Sequence, residues 1–149
     1  MNSAARRLLL VIAVLAVAGM VVSSVSLVHH YGTSKSSFCD LSETVNCDIV
    51  NRSEYSTLLG VPVALIGVLG YLALFVLATF YRGNVTTPRL LFWGASAGLG
   101  FALYLTYIEG FVLSTWCILC LSSLGAISVI TVLSFLLLVV SKKKGAPAA

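Results

Sequence analysis

Trp116-Cys117-Ile118-Leu119-Cys120 opens a stretch that runs on to Val140 without one charged residue. A helix needs roughly 20 apolar residues to cross the hydrocarbon core of a bilayer, and 116–140 meets that length. Residues three apart share a helix face, so Cys117 and Cys120 point the same way. They also fall at the start of the helix, where unpaired N–H groups and the positive end of the macrodipole stabilise an anion. The thiolate is the attacking species in thiol–disulfide exchange, so a CxxC at this position is predicted to be reactive.

Working outward, the same kind of block recurs at 90–111, 58–81 and 8–28. The expected fold is therefore all-α, a four-transmembrane-helix bundle forming a single membrane domain over 1–149. With 59% hydrophobic and 9% charged residues, the chain has too few charges for the water-facing surface of a soluble domain. Seven of the nine Lys and Arg (Arg6, Arg7, Arg82, Arg89, Lys142, Lys143 and Lys144) lie on one side of this layout. The positive-inside rule makes that side, and both termini, cytoplasmic. The pI near 9.0 reflects this basic rim and gives no reason to expect nucleic acid as a partner.

Arg6-Arg7 and the run behind them resemble a signal peptide. Signal hydrophobic regions span about 7–15 residues, and this uncharged run is about 21 long, which favours a retained helix. Gly94-Ala95-Ser96-Ala97-Gly98 in the third block is a small-residue face, read as close packing inside the bundle.

The one sizeable polar segment is the extracytoplasmic loop 29–57. It begins with a flexible stretch, 32–37, and carries Cys39 and Cys47. Asn51 to Leu59 reads as a short amphipathic helix at the interface. All four cysteines thus fall on the outer side, where disulfides persist. Four cysteines allow three pairings, and spacing does not choose among them. Permanent staples are one reading. A zinc site is weaker, because seven residues separate Cys39 from Cys47 where zinc motifs have two to four.

Cys39-Asp40, Asn46-Cys47, Ser53, Gly60-Val61-Pro62, Gly67 and Cys117-Ile118-Leu119-Cys120, in this order on four spans, resemble the vitamin K epoxide reductase family. The resemblance is particularly to its bacterial and archaeal members that act in disulfide formation. The resemblance covers nearly the whole chain and implies a membrane thiol–quinone oxidoreductase in the plasma (inner) membrane. It implies that Cys39 exchanges with a reduced thioredoxin-fold (DsbA-like) protein on a separate chain. Cys47 then passes electrons to Cys117, and Cys120 faces a quinone of the menaquinone, ubiquinone or vitamin K type. Ser53 matches a family hydroxyl that supports the loop. Val63 stands where many members have an Asn directed at a quinone carbonyl, and Leu124 where animal members have Tyr. Both differences imply a more apolar pocket and argue against epoxide reduction.

Tyr104 and Tyr107, one turn apart, are candidates for the quinone pocket and equally for an interfacial aromatic belt. Glu109 is expected at the membrane edge, where a carboxylate stays hydrated, with a proton-relay role the weaker reading. His29 and His30 point about 100° apart on a helix, a poor haem pair, and read as a solvated helix end. Two function classes follow: the quinone-dependent oxidoreductase, and a non-catalytic membrane subunit or assembly factor with structural disulfides.

Overall fold

The computed structural model describes residues 3–32 and 39–145. Most of the predicted flexible stretch therefore lies outside the described residues. The elements are α1 (Ser3–Tyr31), β1 (Asp40–Ser42), β2 (Val45–Asn46), α2 (Cys47–Asn51), β3 (Thr57–Leu58), β4 (Val61–Pro62), α3 (Val63–Thr79), α4 (Thr87–Tyr107) and α5 (Ile118–Gly145). A 3-10 turn covers Glu54–Ser56, and a π-helical turn, Ile108–Leu113, extends α4. Three helical segments are long and apolar enough to cross a membrane: Ser3–Tyr31, Thr87–Leu113 and Ile118–Lys143. The fourth apolar helix, α3, is shorter at 17 residues.

That helix begins five residues later than the apolar block 58–81 suggests. Leu59 and Gly60 both take positive φ, 53° and 82°, which closes Thr57–Leu58 on Val61–Pro62 as a two-residue hairpin. Pro62 then leads directly into α3. The expected interfacial helix over Asn51–Leu59 is also displaced. The Asn46 side chain accepts from Ile49 N at 3.1 Å and starts α2 at Cys47. Ser53 Oγ donates to Val50 O at 2.8 Å and Ser56 Oγ to Ser53 O at 2.6 Å, and these local bonds end regular helix.

Helix α1 packs against α3 and α5, and α5 against α4, while α3 and α4 touch more sparingly. The buried stripe of α1 (Ala5, Leu9, Ile12, Ala16, Gly19 and Ser23) follows the three-to-four spacing of one helix face. It meets Leu74, Ala78, Leu91, Ala95, Ile130 and Leu137 in the main core. Outward-facing Val14, Val28, Leu69, Trp93 and Phe111 are exposed, as suits a lipid boundary. The small-residue face of α4 only partly packs. Leu74 lies near Gly94 and Ile127 near Gly98, and both glycines also border a cavity left between α3 and α4.

At Gly19 the α1 backbone lies against the ring of Tyr71, where an added Cβ would overlap the ring carbons. Gly19→Ala is expected to destabilise the bundle by about 1–3 kcal/mol, the usual range for overpacking. Gly100→Ala, with open space around the added carbon, should change stability by less than about 0.5 kcal/mol. Thermal unfolding of both variants in one detergent checks the pair.

Candidate redox site

The polar loop is docked onto the bundle by backbone pairing. β1 and β2 form an antiparallel hairpin with Asp40 opposite Asn46. Its turn and second strand dock on the segment leading into α5. Trp116 N donates to Thr44 O at 2.8 Å and Asn46 N to Trp116 O at 3.2 Å. The residues immediately before Cys47 and Cys117 are thus hydrogen-bonded to each other, which brings those two cysteines together. Cys39 and Cys47 are joined as a disulfide with Cα atoms 5.5 Å apart, whereas Cys117 and Cys120 are free thiols. Cys39, Cys47 and Cys117 are fully buried with Val50 and Leu119 in a second small core, and Cys120 packs against it.

The two histidines anchor this arrangement and are not a solvated helix end. His29 Nδ1 lies 3.3 Å from an Asp48 carboxylate oxygen, and His30 Nδ1 lies 2.5 Å from Asn51 O. Arg52 reaches the Gly32 carbonyl from the same side. The end of α1 is therefore tied to α2, the short helix that begins at Cys47.

Cys117 stands just ahead of α5, and its carbonyl accepts the first helical bond, from Leu121 N at 3.0 Å. Its own N–H donates to Glu109 Oε2 at 3.2 Å. Glu109 is therefore not at a hydrated membrane edge: it is 2% exposed. The π-helical turn places it there. Ser114, at φ 49°, reverses the chain, Thr115 N closes on Glu109 O at 3.1 Å, and the CxxC folds back over the carboxylate. π-turns of this kind are frequent at functional sites. Glu109 Oε1 is buried and makes no hydrogen bond.

Cys120 and Glu109 open onto a cavity of about 350 Å³ bounded by α1, α2, α3, α4 and α5. Its walls are mainly apolar, with Val63, Ile66, Phe101 and Leu105 among them. Ser53 borders it, with its hydroxyl bonded back to Val50 O. Tyr104 and Leu124 are not in the wall, and Tyr104 is exposed on the outside of α4. The α4 face toward the cavity is instead Phe101, Leu105 and Ile108. Tyr71 lines it from α3 with its hydroxyl held 2.8 Å from Ser123 O.

Asn51 is a wall residue that reading the sequence missed. It is buried; its Oδ1 accepts from Ser26 Oγ at 3.0 Å, and its Nδ2 has no partner. Two residues bordering the cavity thus each carry a buried polar atom without a partner among the described residues, an amide nitrogen in Asn51 and a carboxyl oxygen in Glu109. The signal for Glu109 was present in the sequence, as the only acid between Glu54 and the C-terminus. Asn51 carried no such mark inside a polar loop.

Apolar helices enclosing two adjoining cysteine pairs, one oxidised and one reduced, define a membrane redox protein. The model of the vitamin K epoxide reductase family matches residues 10–136. The chain belongs to the vitamin K epoxide reductase family, a family of membrane oxidoreductases.

Proposed function

We propose that this chain is a quinone-dependent protein-disulfide oxidoreductase. In this reading it reoxidises a separate thioredoxin-fold protein of the DsbA-like kind and sends two electrons to a membrane quinone. The observation that carries the reading is that all four cysteines gather in one cluster, with Cys120 alone of them on the cavity wall. The chain then spans the plasma membrane four times as one domain, with both termini cytoplasmic and the cysteines on the extracytoplasmic face. At 1.5 Å per residue α3 covers roughly 25 Å, and the β3–β4 hairpin completes the crossing at the interface.

The residues lining the cavity suit a quinone ring. The walls are apolar, the volume falls in the range of small-molecule sites, and Asn51 Nδ2 offers an unused donor for a ring oxygen. Asn51 would supply the hydrogen bond that Val63 cannot make, while Ser53 braces the loop and Cys120 faces the ring. When bound, the quinone is the acceptor of two electrons and two protons.

The protein's own steps are exchanges of sulfur bonds. A partner thiolate attacks Cys39, and Cys47 leaves as thiolate. The partner's second thiol then displaces Cys39, so the partner departs as a disulfide. Cys47 attacks Cys117 of a closed Cys117–Cys120 pair, and Cys120 leaves. Cys39 then attacks Cys47, restoring the loop disulfide and freeing Cys117. The result is a joined Cys39–Cys47 beside two free thiols, the sulfur arrangement observed here. Because Cys39 is fully buried in this form, exchange with a partner requires local opening of the β1–β2 hairpin.

The reading is tested by quinol formation from purified protein in detergent, with a reduced thioredoxin-fold protein as donor. Turnover supports it. Cysteines that stay paired under mild reductant, with no turnover on any common quinone, would move the protein to the class of stapled membrane subunits. Asn51→Leu is expected to weaken quinone affinity about tenfold, the equivalent of one buried hydrogen bond. Ser26→Ala, which removes only the hydroxyl on Asn51 Oδ1, should change affinity far less. Quinone titration against intrinsic fluorescence measures both.

A further inference from the structure

Resting on the quinone-reducing reading, we propose that Glu109 is the catalytic proton carrier of the site, moving the Cys120 thiol proton toward the cavity as the CxxC closes.

The geometry gives this carboxyl two separate tasks. Oε2 accepts from Cys117 N at 3.2 Å and holds the start of α5. Oε1 is buried without a hydrogen-bond partner, in a residue that borders the cavity together with Cys120. A cap for the helix start needs only the first oxygen. Leaving the second one unpartnered in an apolar wall is unfavourable by itself, since a buried acceptor without a donor loses its solvation. In a residue that shares the cavity with a thiol that must give up its proton, that oxygen is a base for the group it serves.

The balance is simple. Closing the pair breaks the Cys117 and Cys120 S–H bonds and forms one S–S bond. Two electrons and two protons leave for the acceptor, a quinone by the reading above. Glu109 Oε1 takes the Cys120 proton and releases it on the cavity side, and so returns to its starting state. The other titratable groups bordering the cavity are His30 from α1, Tyr55 after α2 and Tyr71 from α3. His30 is held at Asn51 O and Tyr71 at Ser123, whereas Glu109 is bonded through Oε2 to the backbone of the CxxC itself.

The test compares full-length wild type, Glu109→Gln and Glu109→Asp in detergent. Glutamine keeps a carbonyl oxygen for Cys117 N and cannot carry the proton. With dithiothreitol as donor and a short-chain quinone as acceptor, Glu109→Gln is expected to lose about 10²-fold in kcat or more, the scale of general acid–base catalysis. KM for the quinone should stay within about twofold, because uniform binding is untouched. Glu109→Asp should recover part of the rate.

A second readout needs no quinone. The rate of Cys120 alkylation against pH, resolved by peptide mass spectrometry, should show one titrating step fewer in Glu109→Gln than in wild type. Wild-type turnover with an unchanged Glu109→Gln kcat overturns the role alone. So does a loss of kcat that comes with a raised KM and an unaltered alkylation profile, which would leave Glu109 a structural cap. Absence of quinol from wild type overturns the quinone reading and this role together.

Discussion

Replacing Cys120 by alanine is expected to abolish quinone reduction and to accumulate a disulfide between Cys47 and Cys117. Of the four sulfurs, only that of Cys120 belongs to a residue on the cavity wall, so its removal takes away the exit for electrons. Turnover should fall by at least about 10³-fold, as when an essential nucleophile is deleted. The Cys117 thiolate that remains adjoins Cys47, because Asn46 N and Trp116 O are bonded at 3.2 Å. It can attack Cys47 and expel Cys39 with no net oxidation. In wild type Cys120 resolves the mixed disulfide by attacking Cys117 and displacing Cys47, which closes the Cys117–Cys120 pair. In the variant only Cys39 is left to resolve it, and the mixed disulfide should persist once a donor thiol has captured Cys39. Non-reducing digestion and mass spectrometry identify the linked peptides. A Cys39–Cys117 link, or undiminished turnover, would overturn the order of the relay.

The same two hydrogen bonds show where sequence reading stops. The apolar blocks, the polar loop between the first two and a helix beginning at the CxxC follow from runs of side chains, because bilayer thickness constrains length and charge directly. Docking of Val45-Asn46 on Trp116 depends on backbone pairing between segments some seventy residues apart, and no side chain announces it. Glu109 shows the limit within one helix. By position it is a carboxylate near a membrane edge. The π-turn and the left-handed Ser114 fold the CxxC over it, and that reversal turns a hydrated acid into a buried one. For Tyr104 the sequence left a pocket wall and an aromatic belt equally open, since depth in the span is legible and the face of α4 is not. Phe101, Leu105 and Ile108 hold the cavity face, and a side chain just off that face reaches the outside. Likewise the late start of α3 turns on the hairpin at Leu59-Gly60, since apolar residues that suit a membrane helix suit an interfacial turn as well.

Cys39→Ala is expected to separate the two kinds of electron donor. In the proposed relay a protein donor exchanges with the loop disulfide, which local opening of the short β1–β2 hairpin exposes, whereas Cys117 stays buried against the bundle. Without Cys39 that disulfide does not exist, so turnover with a reduced thioredoxin-fold protein should fall by about 10²-fold or more, again the scale of losing an essential nucleophile. Dithiothreitol is small enough to reach the CxxC sulfurs from the cavity side, where Cys120 is only part-buried. Its rate should therefore stay within about threefold of wild type, on the order of a 0.6 kcal/mol change in barrier. The substitution also removes a short cross-link, separation 8, worth about 2–3 kcal/mol of stability in the chain-entropy account. Thermal unfolding of the variant must accordingly be measured beside the two rates. A folded variant that loses both donors equally would mean that Cys39 serves every entry of electrons, and would place the loop disulfide on the path from small thiols as well. A folded variant that keeps both would remove the loop from the relay and leave the CxxC to take electrons from a partner directly.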